Sequence, residues 1–175
     1  MTAPSVIRTC TGDDRPAILS IINAAAEAHR GVIPDDCWHE PYMSADALDR
    51  EIAAGVGFSG WDGPAGLSGV MGLQPLAGVT LIRHAYVDPN RQGRGIGRDL
   101  LRQLMAATSQ PVLVGTWAAA TWAIRFYQRN GFALVGADET PDLLRRYWSI
   151  SDRQIATSVV LADERWLAAR GGHRA

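Results

Sequence analysis

The run from Leu81 to Leu101, LIRHAYVDPNRQGRGIGRDLL, constrains the fold more than any other part of the chain. It has the order of an apolar strand, a Pro-Asn turn, three alternating glycines and the start of an amphipathic helix. Gly93, Gly95 and Gly97 let backbone approach a ligand with no Cβ in the way. A helix that begins there aims unpaired N–H groups and its positive dipole end at the gap. Such a turn suits a pyrophosphate. Spacing separates the nucleotide-binding patterns that a turn of this kind can serve. A P-loop requires Lys and Ser/Thr directly after the second glycine of its pattern, and here Arg98 and Asp99 follow Gly97. A dinucleotide fingerprint requires G-x-G-x-x-G and an acidic residue roughly 20 positions on. Arg98 stands where the third glycine belongs, and Gly115-Thr116-Trp117 lies in the place of the acid. Neither pattern is met.

The chain has 175 residues, of which 47% are hydrophobic, so one globular domain over residues 1-175 with a sizeable core is expected. Its 17 basic and 18 acidic residues nearly cancel, which argues against a nucleic-acid or anionic-membrane partner. Every basic residue other than histidine is arginine, so lysine-based Schiff-base chemistry is excluded. Two cysteines, Cys10 and Cys37, are too few for a disulfide framework or a zinc site. The opening MTAPSVIRTC lacks the regions of a signal peptide, and no apolar run reaches transmembrane length. A cytoplasmic protein is the expectation.

Ser5 to Thr9 reads as a strand, and Thr11-Gly12-Asp13-Asp14 caps a helix with Pro16 in its first turn and Ile18, Ile21, Ile22 and Ala25 on one face. Val32 to Met43 is irregular and aromatic, a candidate binding loop. Ser44 caps a second helix that stops at Gly55. Val56 to Trp61 and Leu67 to Leu73 are predicted as a hairpin with a wide turn, followed by a longer strand over Val79 to Val87. After the glycine turn comes a helix with Leu100, Leu101, Leu104 and Met105 inward, then a buried strand over Pro111 to Thr116. Thr121 to Asn130 is helical, Phe132 to Val135 starts another strand, and Ile155 to Ala162 is predicted as the last. The order β-α-α-β-β-β-α-β-α-β-β implies an α/β fold with a mixed central sheet and helices on both faces.

Two motifs carry a resemblance. Gln92, Gly95 and Gly97 satisfy Q/R-x-x-G-x-G/A, preceded by Val87-x-Pro89 and followed by Leu100-Leu101, and Ala123 to Phe132 (AIRFYQRNGF) fits A-x-x-F-Y-x-x-x-G-F. Over Val79 to Val135 the chain resembles the GCN5-related N-acetyltransferase (GNAT) superfamily. That resemblance implies acetyl-coenzyme A as co-substrate with no metal, and attack by an amine on the thioester in a ternary complex. It implies that Gln92, Gly93, Arg94, Gly95, Ile96, Gly97 and Arg98 hold the pyrophosphate. It also implies that the backbone of Ala85, Tyr86 and Val87 pairs with the pantetheine arm, with the Val87 amide as oxyanion donor. Tyr127 would protonate the leaving sulfur. The family often has Asn three positions before the Ala of the second motif, and Ala120 stands there instead.

A general base is harder to assign. Related enzymes place Glu or His at even offsets before the Val, where this chain has Arg83 and Leu81. His84 is the nearest titratable group, expected to face the other side of the strand unless a bulge turns it. Glu27, His29 and Glu40 are further candidates acting through water. The resemblance places the acceptor pocket between the first two helices and between the last strands, where His29, Arg30, Trp38, Tyr42 and Tyr147 are the candidate contacts, with Arg83 of the strand before the glycine turn a further one. The expected acceptor is a small-molecule primary amine, an amino acid or analogue included, bound through Arg83, Arg30 or Arg146. A peptide or protein N-terminus, and an acyl-coenzyme A sensor without turnover, remain the alternatives. A homodimer through the last strand and an exposed Leu143 to Trp148 cluster is expected.

Overall fold

The computed structural model describes residues 5–171, which form two compact units. The first holds residues 5–28, 39–76 and 82–109. Its elements are β1 (Val6–Thr9), α1 (Arg15–Ala26), α2 (Ala45–Ala53), β2 (Gly57–Gly63), β3 (Gly66–Leu76), most of β4 (Val79–Val87) and α3 (Ile96–Ala106). Strand order is β1-β2-β3-β4, antiparallel from β1 to β3. Gly63 pairs with Gly66, so the β2–β3 hairpin closes tightly over Pro64 and Ala65, where a wide turn was expected. Gly66, with φ of 88°, supplies the left-handed residue that lets the strands meet so early.

Local chemistry starts the helices. The Thr11 amide donates to the Asp14 carboxylate at 2.7 Å ahead of α1, and Ser44 Oγ accepts from the Ala47 amide at 3.1 Å to cap α2. Ile18, Ile21 and Ile22 of α1 and Leu48 of α2 are buried with Phe58 and Val70 of the sheet. The neighbouring residue Gly69 faces the other way, because a Cβ there would lie 2.7 Å from Ile96 and 3.2 Å from Leu100. Helices α1 and α3 therefore cover opposite faces of β3, with Gly69 letting α3 approach the strand closely.

At the start of this unit the Arg8 guanidinium forks onto Asp14 at 2.8 and 2.9 Å and reaches Asp62 at 2.7 Å. The bonds from Arg8, and then the Thr11 amide, hold the Asp14 carboxyl well below the usual carboxylate range. A depressed carboxylate contributes stability that is full above its unfolded pKa, about 3.9, and is lost as pH falls through its folded value. Asp14→Asn is thus expected to lower the urea midpoint at pH 7, with the difference from wild type shrinking below about pH 4. Denaturant melts at neutral and acid pH check this, and a gap independent of pH would remove the electrostatic assignment.

The second unit holds residues 29–38, 77–81 and 110–171. The first residues of β4 lie beside β5 (Val112–Trp117), where the Thr80 amide donates to the Pro111 carbonyl at 2.9 Å. Strand order is β4-β5-β7-β6, with β6 (Ala133–Leu134) and β5 both antiparallel to β7 (Ser158–Ala162). Helix α4 (Thr121–Arg129) precedes β6, and α5 (Thr140–Tyr147) and α6 (Asp152–Ala156) separate β6 from β7. Helix α7 (Glu164–Gly171) ends the described chain.

Three expectations are corrected here. Ile155 and Ala156, expected to start the last strand, belong instead to the helix Asp152–Ala156, because Ser151 and Gln154 form a reciprocal capping box. Helices α5 and α7 add to the expected order; Asp163 accepts from the Trp166 amide at 3.1 Å and the Val112 amide at 3.0 Å, and so starts α7 while tying it to β5. The Leu143 to Trp148 cluster is not an exposed association surface. Leu143, Leu144 and Trp148 are buried, the indole resting on Gly115, and β7 is flanked by β5 and β6. An apolar stripe on a helix finds its own sheet first.

Candidate active site

In the first unit, strand β4 runs into the glycine turn through a set of local bonds. The Asp88 amide donates to the Ser68 carbonyl at 2.8 Å, Asp88 Oδ1 accepts from the Asn90 amide at 2.9 Å, and Gln92 Nε2 donates to the Val87 carbonyl at 3.3 Å. Gly93 and Gly95 have φ of 75° and 83°, a region where an L side chain is strained. Gly95 is the N-cap of α3, and the Asp99 amide is bonded to its carbonyl at 3.0 Å. The amides of Ile96, Gly97 and Arg98 precede that bond in the first turn, with no intrahelical acceptor. Gln92, Gly93 and Arg94 are exposed beside them. Backbone donors and the helix dipole meet at this turn, an arrangement that suits a pyrophosphate. Arg98, 58% exposed, pairs with Asp99 at 3.2 Å.

Further back along β4, His84 has φ of 50°, a left-handed conformation that costs a non-glycine residue about 1–2 kcal/mol. Surrounding contacts hold it there. Its Nε2 lies 3.0 Å from Glu51 Oε2, and its ring stacks on Phe58 at 6.2 Å and 24°. Arg83 reaches the same Glu51 oxygen at 2.7 Å and Gln74 Oε1 at 2.9 Å, and Gln74 Nε2 donates to the Ala54 carbonyl at the end of α2. Arg83 is therefore committed to Glu51 and Gln74. Tyr42 and Tyr86 meet edge to face, ring centroids 6.4 Å apart and hydroxyls 3.5 Å apart.

The second unit carries the other candidates. Tyr127 of α4 is 5% exposed, with Phe126 and Phe132 edge-on at 5.1 and 5.6 Å, and burial pushes its phenol far above the ordinary tyrosine value. It stays protonated at any physiological pH. His29 is buried, its ring 5.2 Å from Trp122. Arg30 lies over Trp38 at 4.4 Å and Arg146 over Tyr147 at 5.1 Å.

A groove of about 520 Å³ opens in this unit, lined by apolar Val32, Ile33, Pro34, Ala118, Ala119 and Ala156. Trp117, Asp35, Arg153 and Thr157 complete it, while His29, Arg30, Trp38 and Tyr147 are not among its lining residues. Arg153 pairs with Asp36 at 3.3 Å, and the Thr157 hydroxyl donates to the Arg153 carbonyl at 2.8 Å. Among the described residues no cation pairs with Asp35, so its carboxylate is the unanswered charge at the groove. Sequence patterns missed Glu51, Gln74, Asp35, Trp117 and Arg153. Only the irregular aromatic loop around residues 32–43 signalled any part of the groove.

The mixed α/β fold with a left-handed glycine turn between β4 and α3 is the frame for comparison with known proteins. Residues 51–134 match the model of the acetyltransferase (GNAT) domain. No curated protein matches it in sequence. Among solved structures it resembles the PaiA N-acetyltransferase of Thermoplasma acidophilum in complex with coenzyme A. That match has TM-score 0.68 and 16% identity, covering 92% of this chain and 99% of the other. It also resembles the ribosomal-protein-S18-alanine N-acetyltransferase of Escherichia coli (TM-score 0.66, 17% identity, 91% and 93% covered). N-acetylglutamate synthase of Neisseria gonorrhoeae, complexed with coenzyme A and N-acetyl-glutamate, matches over 92% of this chain but 35% of its own length (TM-score 0.66, 22% identity). At these identities the likeness is one of fold. No helix among the described residues is long and apolar enough to cross a membrane.

Proposed function

We propose that the protein is an acetyl-coenzyme A-dependent N-acetyltransferase whose acceptor is the primary amine of a small molecule with an apolar body. The observation that carries this is the β4–α3 turn, where Gly93 and Gly95 hold left-handed backbone ahead of the α3 amides. Ile96, Gly97 and Arg98 offer N–H donors and Arg94 a guanidinium to a pyrophosphate. Acetyl-coenzyme A supplies an activated thioester carbonyl. The Val87 amide is assigned to the developing oxyanion and the backbone of Ala85 and Tyr86 to the pantetheine arm. Tyr127, buried and protonated, donates its O–H to the departing sulfur.

The acceptor class follows from the groove. A volume of about 520 Å³ suits a small molecule, its walls are mostly apolar, and the Asp35 carboxylate attracts an ammonium. An amino-acid acceptor held by Arg83 is disfavoured, since Glu51 and Gln74 already engage that guanidinium. Asp35→Asn is expected to raise KM for the amine about tenfold with kcat little changed. An unaltered KM would remove Asp35 from the acceptor site.

The test of the whole assignment is calorimetric titration with acetyl-coenzyme A followed by thiol release across a panel of amines. Saturable turnover of arylalkylamines, faster than that of amino acids or peptide N-termini, is expected. Faster turnover of either competitor class overturns the acceptor. Absence of acetyl-coenzyme A binding overturns the enzyme, and binding without turnover of any amine favours a sensor.

A further inference from the structure

Consecutive residues of a regular strand point to opposite faces. Arg83 and His84 nevertheless both reach one oxygen, Glu51 Oε2, at 2.7 and 3.0 Å. The left-handed backbone at His84 brings them to the same side. All three side chains are a quarter exposed or less. A kinked strand, a stacked imidazole and a carboxylate from a helix 33 residues earlier in sequence form one cluster, and packing alone does not call for ionisable groups there.

We propose that Glu51 is a positioning residue that orients His84 as the proton acceptor for the amine, an assignment that rests on the acetyltransfer function above. Burial raises the Glu51 carboxyl, but the hydrogen bond from His84 and the charges of Arg83, His84 and Arg50 outweigh it, and the net shift is downward. Ionised Glu51 only accepts. His84 Nε2 must then carry the proton and donate, which leaves the lone pair on Nδ1. In the proton step an N–H bond of the acceptor ammonium breaks as Nδ1–H forms, and the electron pair left on nitrogen makes the new C–N bond to the thioester carbonyl; the C–S bond then breaks with its electron pair leaving on sulfur, and the second proton shed by the nitrogen ends on that sulfur. The imidazolium so formed sits against the Glu51 carboxylate and later releases its proton to water. Among the described residues, Glu51 of α2 bonds the ring and Phe58 of β2 stacks on it, while Arg83 of β4 and Arg50 of α2 act on Glu51 and the neutral Gln74 of β3 bonds Arg83. Arg83 shares the same carboxylate oxygen.

The experiment is the pH dependence of kcat/KM for the wild type, Glu51→Gln and His84→Gln, with acetyl-coenzyme A affinity measured alongside. Glu51→Gln keeps the shape of the side chain and removes its charge. Its acid limb is expected to move about one unit to lower pH, with a plateau about tenfold lower. His84→Gln is expected to lose the limb and about a hundredfold in rate, both variants retaining cofactor affinity. A Glu51→Gln profile that superimposes on the wild type, or that falls in height without moving along the pH axis, overturns the pairing. Should either variant fail to fold, the neutral ring of wild-type His84 is read by its ¹⁵N shifts: an Nε2–H tautomer is required, and an Nδ1–H tautomer sinks the proposal. If the wild type binds acetyl-coenzyme A yet releases no thiol with any amine, the acetyltransfer function fails and the base role with it. Turnover with an unmoved limb strikes the Glu51–His84 pairing alone.

Discussion

Tyr127→Phe is expected to lower kcat by about a hundredfold or more while leaving affinity for acetyl-coenzyme A unchanged. The substitution deletes one oxygen from a residue held by Phe126 and Phe132, so its packing survives. What disappears is the donor proposed for the departing thiolate. Burial raises the phenol's pKa, so the loss should be the same at every point between about pH 6 and 9. Burst and steady-state thiol release, with calorimetry for affinity, check it. A Phe variant as fast as the wild type on every active amine would strip Tyr127 of its role and reduce it to a packed aromatic. A rate loss confined to high pH would instead point to an ionising group elsewhere.

The second large effect is expected at the turn. Gly95→Val forces a β-branched residue to φ of 83°, with its Cβ 3.1 Å from the Arg98 guanidinium, at the residue that caps α3. Affinity for acetyl-coenzyme A should fall about a hundredfold, because the first-turn amides no longer present together. Gly78→Val separates strain from binding. Gly78 has φ of 82° with open space around its Cβ position and lies outside the turn. Both variants should melt at lower temperature, and only Gly95→Val should lose the cofactor. Equal affinity in the two variants would show that the turn's left-handed geometry is not what holds the pyrophosphate.

The glycine turn is the part of the site most legible in the chain. The groups it presents are backbone amides, and residues a few positions apart determine whether backbone adopts that shape. Helix starts at Thr11 and Ser44 are legible for the same reason, as is Tyr127 within its motif. The acceptor side was only half legible. The loop around Trp38 stood out by its aromatics, yet the groove is lined by Val32 to Asp35 and by Trp117 and Arg153, which come from three separate segments. The Leu143 to Trp148 stripe shows the opposite failure, since amphipathicity marks a face that is buried but not what buries it.

Strand β4 divides the two kinds of information most clearly. Sequence by itself determined its extent, Val79–Val87, and the turn that follows, because apolar runs, Pro89 and the glycines act on their immediate neighbours. Alternation along a strand also sets a default in which His84 and Arg83 point apart. Only the tertiary structure decided otherwise. Glu51 arrives from α2 and Phe58 from β2, and together they hold His84 in a conformation its own neighbours would not select, while Gln74 from β3 bonds the adjacent Arg83. Contacts between distant segments depend on register and packing across the sheet, and no short-range periodicity encodes them.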